Sequence, residues 1–214
     1  MGDLIHLDAR RSDRSRPTRD ATPAFFFDLC CPFSYLVSER VERTLGDVRW
    51  IPVSFGAPQS ERDEHGITAL RERAEARARS LRLPLVWPDR FPMQAPCALR
   101  AAAHASELGA GARFALAASR LVFCGGFDLE DPETLAEAAA AAAVPLDDCL
   151  HAAGDAGRDE PLRATAEGLH ARGITELPAF RIGKRWLEGE TGLLAAGAMV
   201  RQPESYGRPL APVG

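Results

Sequence analysis

Residues 25–46 read FFFDLCCPFSYLVSERVERTLG, and the order of residue types in this stretch decides how the chain is organised. Three phenylalanines in a row suit a short strand buried on both faces. Pro32 suits the first turn of a helix, where its missing N–H would have had no partner. Phe33, Val37, Val41 and Leu45 then recur every four residues with Leu36 beside them, while Glu39, Arg40, Glu42 and Arg43 fill the other side. Gly46 is a natural stop. This reading predicts a strand that opens with the aromatic run at 24–28 and has Cys30 as its last residue, and a helix that begins just after Cys31.

Further along, VRWIPVSF at 48–55 reads as a second strand whose Pro52 suggests an edge or a bulge. The opening is therefore β-α-β, which implies parallel pairing. From residue 59 to 157 the pattern turns helical. A charged helix over 67–82 leads to the proline-rich connector LPLVWPDRFPMQAP at 83–96. Alanine-rich helices come next, around 97–108, 112–124, 132–143 and 146–153. DEPLRATAEGLHARG at 159–173 is a further helix, with Leu162, Ala166 and Leu169 on one side. ITELPAFRIGKRWLEGE then gives strands at 179–182 and 185–188 about a Gly183-Lys184 turn, and 190–201 closes with a small helix. The order βαβ, helices, αββα is that of an α/β thioredoxin fold carrying an all-helical insertion. The expected division is a disordered tail at 1–23, a thioredoxin-like domain from 24–58 and 158–202, a helical insertion domain at 59–157, and a C-terminal tail at 203–214.

Composition narrows the function. The 214 residues carry a net charge of −4 and a 46% hydrophobic fraction, as in a soluble globular protein without the basic field that nucleic acid would require. No stretch approaches the length of a membrane span, and no apolar run succeeds the basic start, so a cytoplasmic location is expected. The five cysteines are odd in number and match no zinc spacing, which points to reduced thiols, no disulfide framework and no metal.

With Pro32 as the first helical residue, Cys31 is the N-cap. Its sulfur faces the unpaired N–H groups of the first turn and the positive end of the helix dipole, both of which favour thiolate. Ser34 stands where a C-x-x-C motif has its second cysteine. A hydroxyl cannot resolve a mixed disulfide but can steady a thiolate, so C-P-F-S is a monothiol site. Cys30 should point the opposite way and pack. Leu177-Pro178, after a helix and before the hairpin, occupies the position at which a thioredoxin fold places a cis proline beside its nucleophile. Cys97, Cys124 and Cys149 are expected to pack as small apolar residues. Arg100 reads as a solvated helix charge or a contact for an anionic substrate.

FFFDLCCPFSYL, FPMQAPCALRAA (91–102) and GITELPAF (173–180) resemble, in order, motifs of the DsbA-like thioredoxin superfamily, in particular the branch of 2-hydroxychromene-2-carboxylate isomerase and kappa-class glutathione transferase. That branch has serine where this chain has Cys31, whereas oxidoreductases of the DsbA type have C-P-x-C. The resemblance implies catalysis by Cys31 and Ser34. It places thiol or substrate binding at Pro32, Phe33, Leu177, Pro178, Glu190 and Thr191. Glutathione or another low-molecular-weight thiol is the implied cofactor, an aromatic small molecule a candidate substrate, and a homodimer the implied assembly. Where the branch shows G-[SN]-D-R, this chain has Gly189, Glu190, Thr191 and Gly192. Three functions are compatible with this pattern: a DsbA-family thiol oxidoreductase or thiol transferase, a thiol-dependent isomerase or glutathione transferase, or a non-catalytic ligand-binding protein.

Overall fold

The computed structural model describes residues 22–56 and 63–201. The tails expected at 1–23 and 203–214 lie outside this range apart from residues 22 and 23, as does the boundary between residues 58 and 59.

Four short strands form one mixed sheet in the order β2-β1-β3-β4. β1 (Ala24–Phe27) pairs in parallel with β2 (Arg49–Pro52), and antiparallel with β3 (Ala179–Ile182), which forms a hairpin with β4 (Arg185–Glu188). Gly183 turns this hairpin at a φ of 57°, a conformation that suits glycine. α1 (Pro32–Leu45) is the crossover between β1 and β2. Pro52 ends an edge strand, a place in a sheet where a missing donor costs little. Both strands are shorter than the sequence suggests. β1 stops before Asp28, and Cys30 sits in a turn rather than in the strand.

The sheet is covered on both faces. On one, Phe25 stacks on Phe27 and on Phe180 at centroid distances of 5.5 and 5.4 Å and meets Trp50 edge-on at 4.8 Å. α1, α3 (Pro96–Glu107), α4 (Gly111–Gly125) and the final helix α8 (Gly189–Arg201) build this side. The same core continues without a break into α5 (Pro132–Ala142) and α6 (Leu146–Gly154) through Leu135, Ala138 and Cys149. On the other face Ala24, Phe26 and Ala179 pack with Leu169 of α7 (Asp159–His170) and with Leu177. The alternation of Phe25 and Phe27 against Phe26 is the strand period at work.

α2 (Glu64–Leu81) is different. Leu70, Ala74 and Ala78 are its buried residues, and it is tied to its neighbours by polar contacts. The Glu190 carboxylate is paired with Arg40 of α1 at 2.5 Å and with Arg77 of α2, so that it fastens three helices. Arg100 makes a bidentate pair with Asp159, both contacts at 2.6 Å, and also donates to the Ala153 carbonyl. It locks α3 to α7 and does not reach for a substrate.

Phe25 lies at the meeting point of three strands and is fully buried. Phe25→Ala should lower the unfolding free energy by about 3–5 kcal/mol, read from urea denaturation.

Candidate active site

Asp28 stands just past β1, and its carboxylate shapes the turn into α1. One oxygen accepts the N–H of Cys30 at 2.9 Å and the other accepts the N–H of Phe55 at 3.2 Å, joining the β1–α1 turn to the segment after β2. The Asp28 carbonyl accepts the N–H of Cys31 at 3.1 Å and closes the turn. Cys31 then stands as the N-cap of α1 with Pro32 as the first helical residue, as the proline position predicts. Its backbone is extended, and no side chain caps the helix. The sulfur is close enough to the Ser34 N–H and hydroxyl to be stabilised by them, without forming a cap.

Cys31 opens into a cleft of about 860 Å³. One wall is the start of α1 with Cys30, Cys31, Pro32 and Phe33. The others are residues 54–56 after β2, Ile67, Leu70 and Arg73 of α2, the connector at 91–96, and the loop at 175–177. The guanidinium of Arg73 lies 5.0 Å from the centre of the Phe33 ring. Phe33, Phe55 and Phe91 give the cleft an aromatic lining, while Asp28, Arg73 and Glu176 bring charge to it.

The thiol of Cys31 donates to the carbonyl of Leu177 at 3.7 Å, so the loop before β3 presents a backbone acceptor directly to the cysteine. The Leu177–Pro178 bond is cis, as is Phe91–Pro92 in the connector.

Burial pushes the Cys31 thiol up to about 11, against the downward pull of the Ser34 N–H and hydroxyl, and the nearby Asp28 adds to the rise. Helix-start stabilisation is present, but desolvation outweighs it, so the resting group is a thiol and not the thiolate that the cap position alone suggests. Burial also raises Asp28, although the N–H groups of Cys30 and Phe55 pull it back. Cys30 is raised well above its ordinary value, by burial first and by Asp28 second.

The structure brings Cys31, Pro32, Phe33 and Leu177 together at the cleft, with Ser34 buried immediately behind. Pro178 lies at the head of β3, and its carbonyl accepts the N–H of Gly189 at 2.8 Å. Glu190 and Thr191 are in the first turn of α8 and do not belong to the cleft wall. The carboxylate of Glu190 is paired with the guanidiniums of Arg40 and Arg77. Cys30 packs towards the larger core and Cys31 towards the smaller one, the opposite directions expected of them, and both line the cleft.

Arg73 and Phe55 belong to no motif that marks them in the sequence. The spacing of Ile67, Leu70 and Ala74 along α2 carries a signal for an inward stripe that could have pointed to this helix as a wall. Among the described residues no disulfide and no grouping of three or more metal-ligating side chains occurs. No helix among them is long and apolar enough to cross a membrane.

A mixed sheet with a cysteine at the mouth of the first helix, facing the loop before β3, defines a thioredoxin-fold protein with a helical insertion. A family model of the DSBA-like thioredoxin domain matches residues 24–196, and the chain belongs to that family. Among solved structures it is similar to a 2-hydroxychromene-2-carboxylate isomerase, with 16% identity over 87% of this chain and 100% of that one and a TM-score of 0.71. A probable DsbA oxidoreductase from Streptomyces coelicolor shows 18% identity over 90% and 93% of the two chains, at a TM-score of 0.69. The cytosolic disulfide reductase DsbM from Pseudomonas aeruginosa shows 17% identity over 85% and 98%, at 0.63. No curated protein matches the sequence. At these identities the structural likeness shows the fold.

Because Ser34 lowers the Cys31 thiol, Ser34→Ala should move it further up. At any pH between 7 and 9 the variant should be alkylated by iodoacetamide several-fold more slowly than the parent, about tenfold for each unit of displacement.

Proposed function

We propose that the chain is a thiol oxidoreductase or thiol transferase that works through one nucleophile, Cys31, on a small partner held in the cleft. The observation that supports this reading is the cysteine at the start of α1, opening into a partly open cleft of about 860 Å³. In the reaction the Cys31 sulfur attacks one sulfur of a small disulfide. The disulfide bond breaks, one half leaves as a thiol carrying the proton that Cys31 gave up, and the other half stays as a mixed disulfide. A second small thiol then attacks the bound half, takes it away as a disulfide, and returns Cys31 to its starting state. Ser34 and the first-turn N–H groups steady the sulfur as its proton leaves. The Leu177 carbonyl, which holds that proton at rest, becomes free to pair with the partner's backbone or amide.

The partner thiol is glutathione or another low-molecular-weight thiol. A reducing cytoplasm would keep Cys31 ready, since Ser34 offers no internal resolution.

The aromatic walls of the cleft, Phe33, Phe55 and Phe91, favour a second reading, in which a bound thiol adds reversibly to an aromatic substrate and isomerises it. Turnover of 2-hydroxychromene-2-carboxylate that depends on added glutathione would support that reading over the first.

Incubation with oxidised glutathione and subsequent intact mass measurement tests the leading proposal. One glutathione adduct is expected on the parent and none on Cys31→Ser, with the adduct released by free thiol. A parent that takes no adduct, or a Cys31→Ser variant that takes the same one, would overturn it. No adduct together with no turnover would leave a ligand-binding protein without chemistry at Cys31.

A further inference from the structure

The loop that faces Cys31 is held from behind by a carboxylate at the end of the hairpin. Glu188 is the last residue of β4, and its Oε2 accepts the N–H of Thr175 at 2.7 Å, the N–H of Glu176 at 3.3 Å and the Thr175 hydroxyl at 3.5 Å. Two successive N–H groups converging on one anion make a small electropositive cradle, and the carboxylate fills it. The adjoining residue closes the arrangement. The N–H of Gly189 donates to the Pro178 carbonyl at 2.8 Å. Gly189 has a φ of 68°, and a Cβ there would collide with a carboxylate oxygen of Glu176. Glycine suits this point because of its positive φ, whereas the Glu176 carboxylate ends a flexible side chain that can move aside. Thr175, Glu176 and Leu177 all line the cleft, so the β4–α8 junction sets where one wall stands.

The geometry points to Glu188 as a positioning residue for the Cys31 site: by fixing the 175–177 loop it holds the Leu177 carbonyl on the Cys31 thiol and sets the surface on which a partner disulfide docks. Glu188 touches neither the sulfur nor the cleft space and acts through the loop. The inference rests on Cys31 being the reactive group.

Two consequences separate this role from a general contribution to folding. A hydrogen bond accepted from the thiol favours its protonated form, so releasing the carbonyl should make Cys31 ionise more readily. The same release removes the docking surface, so exchange with a disulfide should slow although more thiolate is present. General loosening would instead raise exposure and speed both reactions.

The test measures two rates on folded protein at one pH: alkylation of Cys31 by iodoacetamide, and formation of the mixed disulfide with oxidised glutathione. Glu188→Ala removes the acceptor, and Glu188→Asp keeps the charge but falls a methylene short of the loop. Both should alkylate about threefold faster than the parent or more, the effect of one lost hydrogen bond, and should form the mixed disulfide more slowly. Glu188→Gln keeps an oxygen for the two N–H groups and should stay close to the parent in both. Variants Ala and Asp that match the parent in both rates, or that speed both, would overturn the inference. Should Glu188→Ala fail to fold, Glu188→Asp decides the same question. A parent protein in which Cys31 takes no glutathione would instead count against the proposed function.

Discussion

A buried carboxylate at the end of the first strand is the constraint on which the site depends. Asp28 is taken out of water at the point where β1 must turn into α1, and a carboxylate there needs donors. It finds them in the N–H groups of Cys30 and Phe55. That choice ends the strand one residue early, folds Leu29 and Cys30 into a turn, and delivers Cys31 to the first turn of α1 with its sulfur towards the cleft. It also pins the segment after β2, so that Phe55 becomes part of the wall. The site is therefore a junction between two crossovers and not a property of one helix alone.

Two effects then compete at the Cys31 sulfur. The helix start, with the Ser34 N–H and hydroxyl, favours charge; the surrounding protein, which displaces water from the sulfur, opposes it. Desolvation wins by the amount that carries the thiol to about 11. In the proposed reaction much of the driving force for ionisation would come from the partner. A group that brings its own hydrogen bonds into the cleft, or occupies the Leu177 carbonyl, changes the balance in favour of attack. A resting thiol of this kind is protected from incidental oxidation, because thiolate is the reactive form.

Much of the fold is legible in local pattern. The four-residue recurrence of Phe33, Val37, Val41 and Leu45, the proline at 32 and the Gly183-Lys184 turn each act over a few residues, and α1, β3 and β4 stand where those signals place them. The position of Cys31 at the helix start is legible for the same reason. The features that escape the sequence depend on residues far away along the chain. Alternation extended past Asp28 makes Cys30 a strand residue, and nothing local announces the hydrogen bond to the Asp28 side chain that ends the strand. Nothing near Glu190 in the sequence announces Arg40 and Arg77, which reach it from 150 and 113 residues away. The raised Cys31 thiol is likewise a product of tertiary burial, against a cluster that includes Leu169, Ile174 and Leu177 from far along the chain.

The central claim is that, of the five cysteines, the one at the start of α1 is the group that reacts in the cleft. The most direct measurement treats the folded protein with less than one equivalent of a small aromatic disulfide and maps the modified peptide by mass spectrometry. Modification at Cys31 ahead of Cys30, Cys97, Cys124 and Cys149 is the expected result. Preferential modification at Cys97 or Cys124, with Cys31 untouched, would contradict it.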